Sequence, residues 1–221
     1  MYVRVTRSAK KMFTVAAMVG SLFTGTVFTA QAASFDNMFK TENADWDCSD
    51  GDAWDEYCRT DNGYLTFAIE PGMTDTGDAD VRASLREEYG PTDLEVHEHT
   101  GNEIEYDGSS ETDIIFDYND PSLPAGILGI AWCNDATSDY ECDQHYVSFD
   151  NSNSDPWKAV VCHETGHAVG LTHGHEAYPR QSQKDSDLGC MRTEGDEYDT
   201  PSWTDLGSHN VGEINDIYVK P

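Results

Sequence analysis

Basic residues are scarce in this sequence. Its 221 residues include 13 lysines and arginines against 42 aspartates and glutamates, a formal net charge of −29. A nucleic acid would be repelled by this charge, because its phosphates bind proteins through lysine and arginine. We therefore expect no nucleic-acid partner. The charge favours solubility in an external medium, with calcium binding and attraction of basic substrates as the other interpretations.

Long apolar runs are also missing after residue 32. Near the N-terminus a basic region (Arg4, Arg7, Lys10 and Lys11) precedes an apolar stretch from Met12 to Thr29 and then Ala30-Gln31-Ala32. This order predicts a secretory signal peptide over residues 1–32, with an uncleaved anchor as the alternative. No later run is long enough to span a bilayer. The mature protein is therefore expected to be secreted, extracellular and free of the membrane.

The rest of the sequence has no internal repeat and no long linker. We divide it into an N-terminal segment, residues 33–63, and a main domain, residues 64–221. This length is enough for one hydrophobic core, and a monomer is expected. Five aspartates of the N-terminal segment form a weak candidate calcium site, because they lack the spacing of a calcium loop: Asp45, Asp47, Asp50, Asp52 and Asp55.

The most informative segment runs from His163 to His173 and reads HETGHAVGLTH. On a helix, His163 and His167 lie one turn apart on the same face, so both rings can bind one metal ion. Glu164 lies beside the first of them, where metalloproteases place a general base. Gly170 permits the helix to end, and His173 can then return as a third ligand. Three histidines leave the fourth zinc position for water, as in catalytic zinc sites.

This motif resembles the long zinc motif of the metzincin clan of zinc endopeptidases, which is followed by a methionine-containing turn below the metal. Met191 is the only methionine after the motif and is the expected residue of that Met-turn. The resemblance implies an α/β (α+β) zincin fold: a twisted mixed sheet of about five strands, a backing helix, an active-site helix and a C-terminal helix. It also implies a protein or peptide substrate, hydrolysed by a zinc-activated water with Glu164 as general base.

More loosely, the flanking sequence resembles matrixin-like members of the clan. Segments that match their strands and closing helix are Thr112–Tyr118, Gly126–Cys133, His145–Asp150 and Ser208–Tyr218. In that group the edge strand, here Gly126–Cys133, binds the substrate backbone. Trp132 in this strand either packs or lines a specificity pocket.

Known subfamilies differ from this sequence. Thr193 stands two residues after Met191, where astacin-like and serralysin-like members carry a metal-liganding tyrosine. Snapalysin-type proteins end the motif in aspartate, whereas this one ends in His173. The resemblance therefore extends to the clan and not to a subfamily.

Local patterns predict three further elements. The segment from Tyr64 to Ile69 alternates and is rich in aromatic and β-branched residues, as in a strand. Apolar residues recur at helical spacing between Asp75 and Glu88, and Gly90-Pro91 ends that helix. A second strand is predicted over Leu94–His97.

Six cysteines in an exported chain predict three disulfides. Proximity in sequence favours Cys48–Cys58 and Cys133–Cys142. Cys162 and Cys190 remain, and their union would tie the zinc helix to the Met-turn. A buried free Cys162 is the alternative.

Two other functions are compatible with these features. One is a processing protease with narrow specificity, and the other is a zinc-stabilised secreted binding protein without catalysis. The glutamate at position 164 argues against the second, because a structural zinc site has no need of a general base. The five histidines outside the motif are expected to be surface or structural residues: His97, His99, His145, His175 and His209.

Overall fold

The computed structural model describes residues 35–51, 58–108, 110–118, 123, 127–150, 158–193 and 201–219. The chain divides into Met1–Gln31 and Ala32–Pro221, and every described residue belongs to the second unit. The predicted signal peptide lies outside the described residues. Within them, no helix combines the length and apolar character needed to cross a membrane.

A six-stranded mixed sheet forms the centre of the fold. The strands are β1 (Arg59–Thr60), β2 (Tyr64–Ile69), β3 (Glu95–Glu98), β4 (Ile114–Tyr118), β5 (Gly129–Ala136) and β6 (Glu141–Phe149). Their order is β1-β6-β4-β2-β3, all parallel, while β5 pairs with β6 in the antiparallel direction. Ile114, Ile115 and Phe116 of β4 are fully buried, as expected for a central parallel strand covered on both faces.

The described residues form four α-helices beside the sheet: α1 (Asp75–Ser84), α2 (Lys158–Ala168), α3 (Pro201–Thr204) and α4 (Gly207–Ile217). Helix α1 continues as a π-helical turn over Leu85–Tyr89, and a 3₁₀ segment spans Ser186–Met191. Helix α2 is buried almost all round, which is typical of a helix enclosed by the core rather than lying on its surface. Tyr89 packs against α2 and donates a hydrogen bond from its hydroxyl to the Cys162 carbonyl at 2.5 Å.

The mixed α/β fold with a backing helix, a central helix and a C-terminal helix is confirmed. The sheet has six strands rather than about five, because the two-residue β1 adds to its edge. Strand β2 has the predicted bounds, and β3 begins one residue later than predicted. Strand β5 is shifted towards the C-terminus relative to the predicted Gly126–Cys133, and residues 124–126 are outside the described part of the chain.

The six cysteines lie in three pairs at disulfide distance: Cys48–Cys58, Cys133–Cys142 and Cys162–Cys190. The first two form one small cluster at the start of β6, and the third joins α2 to the Ser186–Met191 segment. The Cys133–Cys142 pair thus links the neighbouring strands β5 and β6, whereas Cys162–Cys190 ties the central helix to the 3₁₀ segment.

The structure does not support the predicted calcium site. Asp45 and Asp47 form ion pairs with Lys40, and Asp50 accepts a hydrogen bond from the Ala136 amide. Asp52 and Asp55 are not among the described residues. Among the described residues, the groups with metal-binding geometry include none of these aspartates.

Candidate metal centre

Three imidazoles meet at the C-terminal half of α2. The Nε2 atoms of His163 and His167 are 3.1 Å apart, those of His163 and His173 are 3.1 Å apart, and those of His167 and His173 are 3.0 Å apart. The spacing of the first two residues on α2 places their rings one turn apart, and the chain reverses after α2 to bring back the third. The structure thus brings together the three histidines predicted as metal ligands.

The second ring nitrogen of each histidine already faces an acceptor. Nδ1 of His163 lies 2.7 Å from the Cys190 carbonyl, and Nδ1 of His167 lies 2.8 Å from the Leu171 carbonyl. Nδ1 of His173 lies 3.3 Å from the Glu176 carboxylate. Because a carbonyl or carboxylate only accepts, each Nδ1 carries the proton and each Nε2 presents a lone pair.

Three lone pairs at this separation repel one another unless a cation lies between them. Nitrogens that are 2.0–2.1 Å from a tetrahedral zinc ion lie about 3.3 Å apart, which is close to the observed triangle. Burial, followed by the neighbouring His173, lowers the pKa of His163 to about 3 and that of His167 well below its usual value. The rings of His163 and His167 are therefore neutral, which is the form that binds metal, and with the ring of His173 they form a donor set that fits zinc.

The loop that carries His173 is held by the N-terminal segment. The Asn37 carbonyl accepts hydrogen bonds from the Thr172 amide at 2.7 Å and from its hydroxyl at 3.0 Å. The Phe39 amide donates to the Gly170 carbonyl at 2.7 Å. Gly170 has φ of +98°, a conformation that favours glycine, and a side chain there would overlap Arg59. This backbone turn directs the chain back towards α2.

Glu164 lies beside the first histidine, at the edge of β5. Its carboxylate accepts a hydrogen bond from the Ala131 amide, and Gly129 leaves room for it, since a Cβ at Gly129 would come within 2.9 Å of Glu164 Cγ. Burial raises the pKa of Glu164 to about 8, although the Ala131 hydrogen bond acts in the opposite direction. The residue is thus a buried carboxyl that can exchange a proton near neutral pH.

Met191 lies beneath α2, in the turn that the sequence predicted. It is fully buried, and its Sδ would overlap a Cβ placed on Gly166. The turn depends on Gly189, whose φ is +52° and where a Cβ would overlap the Leu206 carbonyl. Through the Cys190 carbonyl, the same turn fixes the ring of His163.

A pocket of ≈ 180 Å³ adjoins the histidines and Glu164. Its lining residues are Ile127, Leu128, Gly129, Ala159, Val160, His163, Glu164, Cys190, Arg192, Thr193 and Trp203. Trp132 does not line it, and stacks instead on Tyr146 at 5.6 Å between ring centres. The packing interpretation of Trp132 is therefore the one that the structure favours.

The sequence did not predict a role in this site for three residues: Glu176, Arg192 and Trp203. Glu176 is buried, and its Oε2 accepts a hydrogen bond from the His173 amide at 2.9 Å. Its position three residues after His173 is a signal that could have been used, because a side chain at that spacing can reach back in a turn. Arg192 and Trp203 come together only through tertiary packing. No local sequence pattern therefore indicates that they belong to the site.

The other histidines are apart from this site or at its rim. His145 is buried, and burial lowers its pKa to about 4. His175 is exposed, with its Nε2 at 3.4 Å from Glu176. His97 stacks on Tyr64, His99 faces the Thr112 hydroxyl, and His209 faces Asn37.

Comparison with known proteins gives little further information. No protein-family model matches the chain, and no curated protein sequence matches it. Among solved structures, the chain is similar to high choriolytic enzyme 1, a hatching enzyme zinc-protease from the medaka fish Oryzias latipes, with a TM-score of 0.33 and 14% sequence identity. The match covers 57% of this chain and 56% of that one, so the chain spans little more than half of the neighbour's length. A likeness of this size identifies neither a fold nor a family.

Proposed function

We propose that this protein is a secreted zinc-dependent endopeptidase of the metzincin clan. The observation that carries the proposal is the triangle of three Nε2 atoms, 3.0–3.1 Å apart, beside a buried glutamate. The zinc motif, the Met191 turn and the mixed sheet supply the remaining support. Subfamily is left open.

The ligands of the zinc ion would be His163, His167 and His173, each through Nε2. When bound, zinc acts as a Lewis acid that polarises the scissile carbonyl and lowers the pKa of a water molecule. Burial keeps the rings of His163 and His167 neutral, and the hydrogen bonds of their Nδ1 atoms orient them.

Glu164 is the proposed proton carrier of the reaction. Its carboxylate takes a proton from the attacking water and then donates it to the leaving amine, so that one residue acts as base and as acid. Burial raises the pKa of the carboxyl above its usual value, which favours the protonated form that the residue holds between the two steps. The Ala131 hydrogen bond fixes the carboxylate in place.

A substrate chain would add to the outer edge of β5. This strand pairs with β6 on one side, while its other side faces Glu164 through Ala131 and Gly129. The Ala131 amide already donates to Glu164, and further along the same edge the Cys133 carbonyl accepts from the Gly51 amide. The substrate would therefore pair with the other main-chain groups of residues 129–132. Strand addition gives affinity through the main chain and leaves specificity to side-chain pockets.

The proposal includes the organisation and location of the protein. Residues 1–32 would be the signal peptide, 33–63 an N-terminal segment with a short disulfide loop, and 64–221 the catalytic domain. The three cysteine pairs at disulfide distance favour an oxidising, extracellular location. We expect the enzyme to act as a monomer.

Hydrolysis of quenched unfolded casein by purified protein tests this function. We expect cleavage that a zinc chelator abolishes. Glu164→Ala should retain zinc and lose turnover, whereas His167→Ala should lose both, and the exposed Glu42→Ala is the matched control with full activity.

Two results would contradict the proposal. Casein cleavage by pure Glu164→Ala protein would exclude the proposed proton carrier. A zinc-loaded protein that cleaves no unfolded substrate would favour the narrow processing enzyme if it cuts a single partner, and the binding protein if it cuts none.

A further inference from the structure

The pocket beside the histidines combines apolar walls with one fixed positive charge. Ile127, Leu128 and Val160 supply apolar surface, and Arg192 is the one basic residue among the described residues that line it. An apolar pocket with a single charged group is the usual form of a site that recognises one kind of side chain. The arginine is notable in a chain with net charge −29, since most of its surface repels acidic groups.

Arg192 is held in place on two sides. Its Nε donates a hydrogen bond to the Gly189 carbonyl at 2.9 Å, and its guanidinium lies over the Trp203 ring at 4.6 Å from the ring centre. These contacts fix the plane of the guanidinium before any ligand arrives, so binding requires little further ordering.

The Nη2 atom of Arg192 is buried and has no hydrogen-bond partner within the described part of the chain. A buried charged donor without an acceptor is costly, and a carboxylate is the acceptor that matches a guanidinium best. Burial also lowers the pKa of Arg192, although arginine remains charged at neutral pH. The pocket that Arg192 lines is the place at which such an acceptor can enter.

Glu164 lines the same pocket and indicates which substrate residue enters it. In the proposed reaction this carboxyl gives its proton to the leaving amine, so the residue that bears that amine lies closest to Glu164. The pocket that Glu164 lines is then the one nearest to the side chain of that residue. The pocket volume of ≈ 180 Å³ is several times the roughly 30 Å³ that one water molecule occupies in the liquid, which leaves room for an acidic side chain.

We propose that Arg192 selects an aspartate or glutamate as the residue that follows the scissile bond. The inference rests on the proposed endopeptidase function and specifies its substrate class: chains with an acidic side chain at that position. The apolar walls and the stacked guanidinium reduce the contact of the ion pair with water, which strengthens it relative to a fully exposed pair.

Paired fluorogenic peptides test this inference. The peptides are identical except for the residue after the scissile bond, which is Glu, Gln, Asp, Asn or Leu. For the native enzyme we expect kcat/KM for the Glu peptide to exceed that for the Gln peptide by about tenfold or more. One charge-assisted hydrogen bond supplies enough free energy for a ratio of this size. The same Glu-to-Gln exchange before the scissile bond should have little effect.

Substitutions at Arg192 separate recognition from a structural role. In Arg192→Gln the Glu-to-Gln ratio should fall to near one, whatever the change in the rate of cleavage of the Leu peptide. Arg192→Lys should retain part of the ratio, and the exposed Arg180→Gln should leave it unchanged. If Arg192→Gln lowers cleavage of all the peptides equally and keeps the ratio, Arg192 only holds the turn and the inference is wrong.

Binding to the Glu164→Ala protein supplies a readout that needs no turnover. Fluorescence anisotropy with the Glu and Gln peptides should show the same preference, and Arg192→Gln in this background should remove it. Failure to cleave any peptide would overturn the proposed function, whereas equal cleavage and equal binding of the Glu and Gln peptides would overturn the acidic specificity alone.

Discussion

Glu176 holds the third histidine of the site. Its carboxylate accepts the His173 amide at 2.9 Å and lies 3.3 Å from His173 Nδ1. The other two rings are held by main-chain carbonyls, which are fixed by the fold. The orientation of His173 therefore depends on a side chain, and this makes it the ligand most sensitive to a single substitution.

Replacement of Glu176 by alanine should weaken zinc binding by about 10- to 100-fold, because the ring of His173 loses its partner. Competition with a chelator of known affinity measures this change. Activity at saturating zinc should be largely kept, since Glu176 lies outside the pocket. Unchanged zinc affinity would show that the loop alone orients His173, and Glu42→Ala controls for loss of a negative charge.

Gly166 allows the helix and the turn below it to approach. We expect Gly166→Ala to destabilise the protein by about 1–3 kcal/mol, because the new methyl would overlap Met191 Sδ in a fully packed region. Gly212→Ala is the matched control: Gly212 lies in α4 with no atom near the added methyl, so this change should stabilise by about 0.5–1 kcal/mol. Chemical denaturation measures both, and equal shifts in the two variants would contradict the packing at Gly166.

Among individual residues, the sequence predicted those whose relative positions follow from their spacing on a single helix. His163, Glu164 and His167 lie on one helix, so their spacing alone determines that they share a face. Glu176, Arg192 and Trp203 could not be predicted in the same way, because their roles depend on where the loop after α2 and the turn at Gly189 return. The support of Asn37 for Thr172 joins residues far apart in sequence, and no local pattern indicates it.

The pairing of Cys162 with Cys190 links the helix of the site to the turn beneath it. Cys162 immediately precedes the first histidine, and the Cys190 carbonyl binds that histidine's ring. The link therefore constrains the same two elements that position His163.

Replacing Cys162 and Cys190 together by alanine should reduce the free energy of unfolding by about 3–4 kcal/mol, as expected for a closed loop with a sequence separation of 28. The matched control is Cys133 with Cys142, whose separation of 9 predicts a loss of about 2–3 kcal/mol. Only replacement of Cys162 and Cys190 should also lower the affinity for zinc. Equal effects of both pairs on zinc affinity would mean that the first link does not position His163.

Elements with a strong local pattern were predicted with good bounds. Strand β2 alternates clearly and ends as predicted, and α4 begins and ends within one residue of the prediction. Helix α1 was predicted as one helix to Glu88, whereas its last residues, Leu85–Tyr89, form a π-helical turn. The π-helical turn places Tyr89 against α2. Because it depends on this tertiary contact, the helical spacing of apolar residues does not predict it.

The described part of this acidic molecule includes a group of three neighbouring aspartates around Asp113. This carboxylate accepts the Thr66 amide at 2.5 Å, and Asp61 and Asp143 lie close enough to form one acidic group with it. Burial raises the pKa of Asp113 to about 6 from its ordinary 3.8, with a smaller contribution from Asp61. The folded protein therefore binds a proton here at pH values at which the unfolded chain has released it.

This shift gives a pH dependence opposite to that of a carboxylate stabilised by an ion pair. As pH rises from about 4 to about 6, the folded state must give up the proton that it retains, and its stability should fall by up to about 1.4 kcal/mol per pH unit. Asp113→Asn keeps an acceptor for Thr66 and should remove this slope. Denaturation curves between pH 4 and pH 7 measure the difference, and parallel curves for the two proteins would contradict the assignment.

In the function proposed above, the whole molecule becomes a peptidase when its three histidines bind one zinc ion. The most direct test is to remove metal with a chelator and to follow casein hydrolysis as zinc is added back. The account predicts that activity returns in proportion to zinc and is complete at one ion per chain, with no recovery in His167→Ala. Hydrolysis by the metal-free protein, or one bound zinc per chain without hydrolysis, would contradict it.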